Sequence, residues 1–322
     1  MKQNTMSLPR TKGFKSKAAT DIPPLLGKVI LVTGGSTGLG RQSVIELAQR
    51  KPSLIWLTAR SSERAKTAAE EIQRVVPDVP IKPLALDLAS CRSVKTAAKT
   101  FCDSCDRLDI LLLNAGTMSY TPGMTEDGYE VHFGTNYLGH ALLTKLLLPT
   151  LLSTAQADPD SDVRIIFVSS AVHKQAPAGG IQFDNLKSKA TNLDAMARYG
   201  QSKLAVILFA KELARQYPQV KIASVHPGAV KTPLSASVSS KNLLLRCLMI
   251  VGRLFMSSVE DGVKNQLWAA TSGAVISGEY YEPIGVSGKA GKYVKDAVLA
   301  NKLWEWTEKE IEGYRMRLVE AQ

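Results

Sequence analysis

An α/β fold built on a doubly wound parallel sheet, a Rossmann fold in a single domain with a helical substrate lid, is what the sequence predicts, and three observations predict it. Short apolar runs alternate with segments of helical periodicity, the pattern of a parallel sheet covered on both faces. Six such runs occur, which suits a dinucleotide-binding arrangement. The first run leads straight into a glycine-rich turn that opens a helix.

The elements follow in order. Residues 1–25 read as a disordered basic leader, and 26–322 as the nucleotide-binding domain. The first strand, 29–33, runs into Thr33-Gly34-Gly35-Ser36-Thr37-Gly38-Leu39-Gly40, and a helix continues to 50. Glycines let the backbone approach a pyrophosphate while free amides at the helix start face the anion, so Gly34, Ser36, Thr37, Gly38, Leu39 and Gly40 are the expected phosphate cradle. The second strand, 54–59, ends at Arg60, where a fold that prefers NAD carries an acid. A guanidinium there pairs with the 2′-phosphate of NADP, so NADP (NADPH) is the expected cofactor over NAD.

A helix over 62–76 precedes the third strand, 81–86, and Asp87 after it is placed to accept from the adenine amino group. A helix over 93–105 and a strand over 110–113 lead to Asn114-Ala115-Gly116, which puts a backbone-binding amide beside the adenosine half. A helix over 137–152, a strand over 165–169 and a sixth strand over 222–226 complete the alternation. Ser258 followed by Asp261 fits a capping box for a helix running to about 271, and a final helix from 301 carries Trp304 and Trp306. The apolar stretch 243–255 is too short to span a bilayer. It reads as part of a lid over a hydrophobic substrate pocket, at about 233–257, or as a monotopic membrane contact aided by Arg246 and Arg253; the lid is favoured.

Tyr199 and Lys203 stand four residues apart, on one face if the segment is helical. Bringing a phenol from pKa 10 to about 7 takes roughly 4 kcal/mol. One unit charge at about 4 Å in an effective dielectric of about 20 supplies roughly that much.

Composition excludes several classes. The net charge is +11, from 40 basic and 29 acidic residues, and five of the basic residues lie in the first twenty positions. No zinc-finger spacing or RNA-binding aromatic signature accompanies them, so no nucleic-acid partner is expected. No run of eighteen apolar residues and no secretory signal is present, and the four cysteines are few and irregularly spaced, which points to the cytoplasm. A peripheral membrane contact and a homo-oligomer remain compatible with the chain. The four histidines have no spacing suited to zinc, so no metal is expected.

The ordered motifs resemble one family, the short-chain dehydrogenase/reductases, over roughly residues 28–282. They are TGGSTGLG at 33–40, NAG at 114–116, Asn136 in NYLG, Ser170 in VSSAVH, Tyr199 and Lys203 in YGQSK, and HPG at 226–228. The spacing TGxxxGxG looks like the one-domain branch. NYLGHALLT and YGQSKLAVILFAKELA are similar to the retinol dehydrogenase and WW-domain oxidoreductase group, and KLWEWTEKE resembles the tails of fungal members, which suggests secondary-metabolite tailoring as a setting.

The resemblance implies a catalytic set of Ser170, Tyr199, Lys203 and Asn136 acting on a carbonyl or alcohol group of an apolar small molecule. Tyr199 exchanges a proton with the substrate oxygen. Lys203 lowers its pKa and reaches the nicotinamide ribose, so both residues also count as cofactor-binding. Ser170 holds the same oxygen, with its neighbour Ser169 the competing candidate, and Asn136 orders a water leading to Lys203. Val230 and Thr232 cradle the carboxamide side of the nicotinamide, and the HPG histidine, His226, is structural. The separation of 29 positions from Ser170 to Tyr199 implies a loop insertion, 174–195, bordering the substrate. A membrane-surface retinol or lipid dehydrogenase and a catalytically silent NADP-binding interaction protein are the alternatives.

Overall fold

Every side chain in Val29–Val32 is buried, because successive residues of a strand point to opposite faces and here both faces are covered. Ile30 and Val32 enter one apolar core, while Val29 and Leu31 enter another. The same division separates Ile110 and Leu112 from Leu111 and Leu113. The computed structural model describes residues 22–158, 160–230 and 257–319. Its strands are β1 (Val29–Val32), β2 (Leu54–Ala59), β3 (Ile81–Ala85), β4 (Ile110–Leu113), β5 (Arg164–Val168), β6 (Lys221–Val225) and β7 (Tyr280–Tyr281). All pair in parallel, in the order β3-β2-β1-β4-β5-β6-β7.

One face of the sheet is covered by α1 (Gly38–Ala48), α2 (Ser62–Val75) and α7 (Lys264–Thr271), following the short α6 (Val259–Gly262). The other is covered by α3 (Cys91–Ser104), α4 (Gly139–Gln156), α5 (Ala195–Gln216) and the C-terminal α8 (Ala297–Val319). The strand order reverses between β1 and β4. Their carboxyl ends, at Thr33 and Asn114, therefore flank the crevice where ligands enter such sheets.

The sheet has seven strands, not the six expected. β7 is only two residues long, too short for any period to show in sequence, and it exists because Ser224 and Val225 of β6 align with Tyr280 and Tyr281. α3 begins at Cys91, ahead of the expected 93, because the Ser90 side chain accepts from Ser93 N and caps it. α8 begins at Ala297 instead of 301, since Asp296 accepts the Leu299 N–H at 2.9 Å. The expected 258–271 helix is divided into α6 and α7, although Ser258 does cap Asp261 N.

The last four residues of the expected leader, 22–25, lie among the described residues. Ile22 and Leu25 are buried in the core beneath α1 and α2, and Leu25 N donates to the Arg50 carbonyl at 2.8 Å. Residues 1–21 lie outside the described residues, as does the expected lid except for Ser257, whose N–H donates to the Ala229 carbonyl at 2.8 Å. α4 is entered through a π-helical turn, Phe133–Leu138, that the sequence does not announce. The combined stretch Phe133–Gln156 is long and apolar enough to cross a membrane, but about two-thirds of its apolar 18-residue window is buried inside the protein, against one face of the sheet.

Candidate active site

The glycine-rich turn is fastened at both ends before any ligand is considered. Thr33 accepts from Asn114 Nδ2 on its carbonyl and from Ala115 N on its hydroxyl, both at 3.0 Å. Gly34 N donates to Thr58 Oγ1 at 3.2 Å and Gly35 N to the Thr58 carbonyl at 2.9 Å. Only glycine fits at 40, because a Cβ there would stand 2.2 Å from the Gly34 carbonyl oxygen and 2.5 Å from Asn114 Nδ2.

Helices α2, α3, α5 and α6 each start with a side chain that accepts a first-turn N–H. α1 does not: Thr37 makes no capping hydrogen bond, so the amides at Gly38, Leu39 and Gly40 are left for an external acceptor. Ser36 lies half-buried in the same turn. Arg60, past the end of β2, is exposed and makes no ion pair or hydrogen bond among the described residues. Asp87 spends one carboxylate oxygen on Ala89 N at 2.9 Å.

Around the reacting group the geometry is set by α5. Asp194 caps it by accepting from Ala197 N, and one turn further Tyr199 and Lys203 point from the same face. Both are buried, at 7% and 4% exposed. Gly200 admits the 3-10 turn Ala171–Gln175, since a Cβ there would meet the Val172 carbonyl oxygen at 2.6 Å. That contact brings Ser170 beside the phenol, near enough for its hydroxyl to favour the phenolate. Ser169 instead donates to the Lys203 carbonyl at 2.8 Å.

Burial pushes the Tyr199 phenol up to about 12, with the Ser170 hydrogen bond acting in the opposite direction. Burial also lowers the Lys203 ammonium to about 8. The expected lowering of the phenol by Lys203 is therefore absent in this arrangement. Lys203 Nζ donates to the Val168 carbonyl at 2.8 Å and stands 5.8 Å from the Tyr199 ring centroid.

Asn136 sits in the π-helical turn. Its Oδ1 accepts from Thr117 N at 2.7 Å, and its Nδ2 donates to the Thr117 carbonyl and to Ser202 Oγ, both at 3.0 Å. A Cβ on Gly116 would lie 3.2 Å from Asn136 Oδ1 and 3.6 Å from Lys203 Nζ, so these two groups converge on one point. Val230 is buried and pairs with Ser257, while Thr232 lies outside the described residues. His226 is held through its backbone, donating to the Tyr281 carbonyl and accepting from Asn265 Nδ2. The 174–195 insertion packs on the body through Gln182 N, which donates to Gln201 Oε1 at 2.8 Å.

One residue that joins the two halves of the site was set aside in sequence. His140 Nδ1 donates to the Asn136 carbonyl at 3.0 Å, and its Nε2 accepts from the Thr33 hydroxyl at 3.0 Å. Thr33 can donate there because its lone pair already takes Ala115 N. Burial holds His140 neutral, with its pKa down at about 4. The available signal was its position four residues after Asn136, on the same helical face.

Residues 28–243 match the family model described as short chain dehydrogenase. An uncharacterized oxidoreductase of Schizosaccharomyces pombe is 38% identical over 301 residues, spanning 92% of this chain and 88% of that protein. A short-chain dehydrogenase/reductase of Aspergillus calidoustus is 36% identical, over 90% of this chain and 95% of its own. Retinol dehydrogenase 13 of Homo sapiens is 35% identical, over 86% and 82% respectively. Among solved structures, an uncharacterized protein from Mycobacterium paratuberculosis superposes with a TM-score of 0.69 at 27% identity, covering 90% of this chain and 96% of that one. L-sorbose reductase from Gluconobacter frateurii shares the fold, with a TM-score of 0.63 at 20% identity over 83% of this chain and 98% of its own.

Proposed function

The chain belongs to the short-chain dehydrogenase/reductase family, an NAD(P)-dependent oxidoreductase acting on alcohols or ketones, and from that premise we propose that it uses NADP on an apolar carbonyl compound. The observation that carries the reading is the convergence of the Ser170 hydroxyl on a buried, protonated Tyr199 phenol with Lys203 one turn away.

The residues fit the cofactor. The uncapped amides of α1 suit an anionic phosphate group, and the free guanidinium of Arg60 suits a 2′-phosphate that an acid would repel. When bound, NADPH supplies the hydride that reduces the carbonyl carbon. The chain's own groups do the rest. Tyr199, protonated at neutral pH, donates its proton to the substrate oxygen. Ser170 donates a hydrogen bond to the same oxygen and meets its developing charge. Lys203, close to neutrality in pKa, passes a proton towards Tyr199, and Asn136 holds the Thr117 backbone beside it.

NADPH consumption across a panel of ketones, aldehydes and quinones tests this. Tyr199→Phe should lose roughly a thousandfold in turnover while binding NADPH as tightly as the parent; retained turnover would overturn the proton-transfer role. Arg60→Asp should shift preference from NADP to NAD, and an unchanged preference would remove Arg60 from the cofactor site.

A further inference from the structure

After β4 the chain makes an excursion whose backbone is gripped by buried polar side chains. Thr117 is held by Asn136. The Ser119 N–H donates to His132 Nε2 at 2.8 Å. The Tyr120 carbonyl accepts from the Arg198 guanidinium at 3.1 Å, and the same guanidinium donates to the Leu193 carbonyl.

Both of the last two arms turn on one carboxylate. Glu130 Oε1 accepts from His132 Nδ1 at 2.8 Å and lies 3.7 Å from Arg198 Nε, while Oε2 accepts from Phe133 N at 2.8 Å. Glu130 and His132 are fully buried and Arg198 is 2% exposed. Taking such charges out of water is costly, so the cluster is a poor source of stability. Its geometric effect is definite. By accepting at Nδ1–H, Glu130 fixes the His132 tautomer, which leaves Nε2 as the acceptor Ser119 needs.

The clamp also touches the reacting group. The His132 ring stands edge-on to the Tyr199 ring with centroids 5.9 Å apart, and Arg198 directly precedes Tyr199 in α5. Residues 117–120 are thus laid beside the phenol. The apolar residues of this segment are Met118, half-buried, and Tyr120, 45% exposed.

We propose that Glu130, His132 and Arg198 are positioning residues that hold 117–120 as an apolar wall beside Tyr199, so that carbonyl compounds with a long apolar chain are preferred over short ones. The inference rests on Tyr199 being the proton donor.

The test measures kcat, KM and NADPH affinity with decanal and propanal for the full chain and for His132→Leu, His132→Gln, Tyr120→Ala and Tyr199→Phe. His132→Leu should raise KM for decanal about tenfold, in line with a lost buried hydrogen bond, with kcat and NADPH affinity within about twofold of the parent. His132→Gln, whose amide both donates and accepts, should restore KM. Tyr120→Ala should raise KM for decanal and leave propanal unchanged.

An unchanged decanal to propanal ratio in Tyr120→Ala overturns the proposal, and so does a parallel fall in kcat and cofactor affinity in His132→Leu that glutamine does not reverse. Should His132→Leu fail to fold, the Tyr120→Ala ratio decides alone. Loss of preference for decanal in the parent chain, or no turnover of either aldehyde, defeats the substrate class. Activity surviving in Tyr199→Phe is a separate failure, that of the proton donor.

Discussion

Tyr199 and Lys203 show how far spacing carries an argument about a single residue. Their separation correctly places both on one face of a helix, and an ammonium at about 4 Å would supply the roughly 4 kcal/mol needed to bring a phenol near neutrality. The structure sets burial against that term, and burial wins: the phenol rises to about 12 while the ammonium falls to about 8 and hydrogen-bonds the Val168 carbonyl. Spacing reports which groups can meet but not what solvent they lose. His140 makes the same point with a measurable consequence. Its folded pKa, about 4, lies below the ordinary 6.5. As pH falls from about 6.5 towards 4, the unfolded chain takes up a proton that the folded chain refuses, so stability present above that window is lost through it, by about 3 kcal/mol. Urea midpoints at pH 7.5 and 5.0 should show a smaller acid loss in His140→Asn than in the parent. An equal loss in both would remove His140 as its source, since the other histidines are common to the two proteins.

Among the elements, α5 and the 3-10 turn at Ala171–Gln175 form the contact on which the chemistry depends. Gly200→Ala separates two effects of opposite sign. Alanine favours the helix by about 1 kcal/mol. Its Cβ, however, would meet the Val172 carbonyl oxygen at 2.6 Å, so the turn must shift and carry Ser170 away from the phenol. A displacement near 1 Å can cost about a hundredfold in rate. The expected outcome is a kcat reduced about that much, with a melting temperature changed by only a few degrees; a kcat equal to the parent's would show that the turn can yield without moving Ser170. The helices and six of the strands were legible because each spans more than one repeat of its period. The π-helical entry to α4 was not, since an extra backbone residue in one turn leaves no mark on composition, and neither was the two-residue β7.

Over the whole molecule, α8 is the element that closes one face of the sheet and ties distant segments of the site together. Trp304 stacks on Phe209 of α5 at 5.4 Å, and Trp306 stands edge-on to Tyr129 and Phe133. Tyr137 hydrogen-bonds Thr307, and Tyr129 donates to Glu310 at 2.6 Å. Leu303, fully buried at the centre of these contacts, should lose about 2–5 kcal/mol on change to Ala, read as a lower urea midpoint with an unchanged slope. A loss below about 1 kcal/mol would mean that α8 is not part of the cooperative core. By itself the sequence determined the class of fold and the family, because hydrophobic period, glycine at sterically closed positions and ordered motifs are local properties. Only the tertiary structure decided that Ser169 turns to the Lys203 carbonyl, that Lys203 turns to the Val168 carbonyl, and that Glu130 meets His132 and Arg198 in one buried cluster. Such outcomes depend on burial and on partners more than a hundred residues apart, as between Thr33 and His140, whose separation along the chain carries no period.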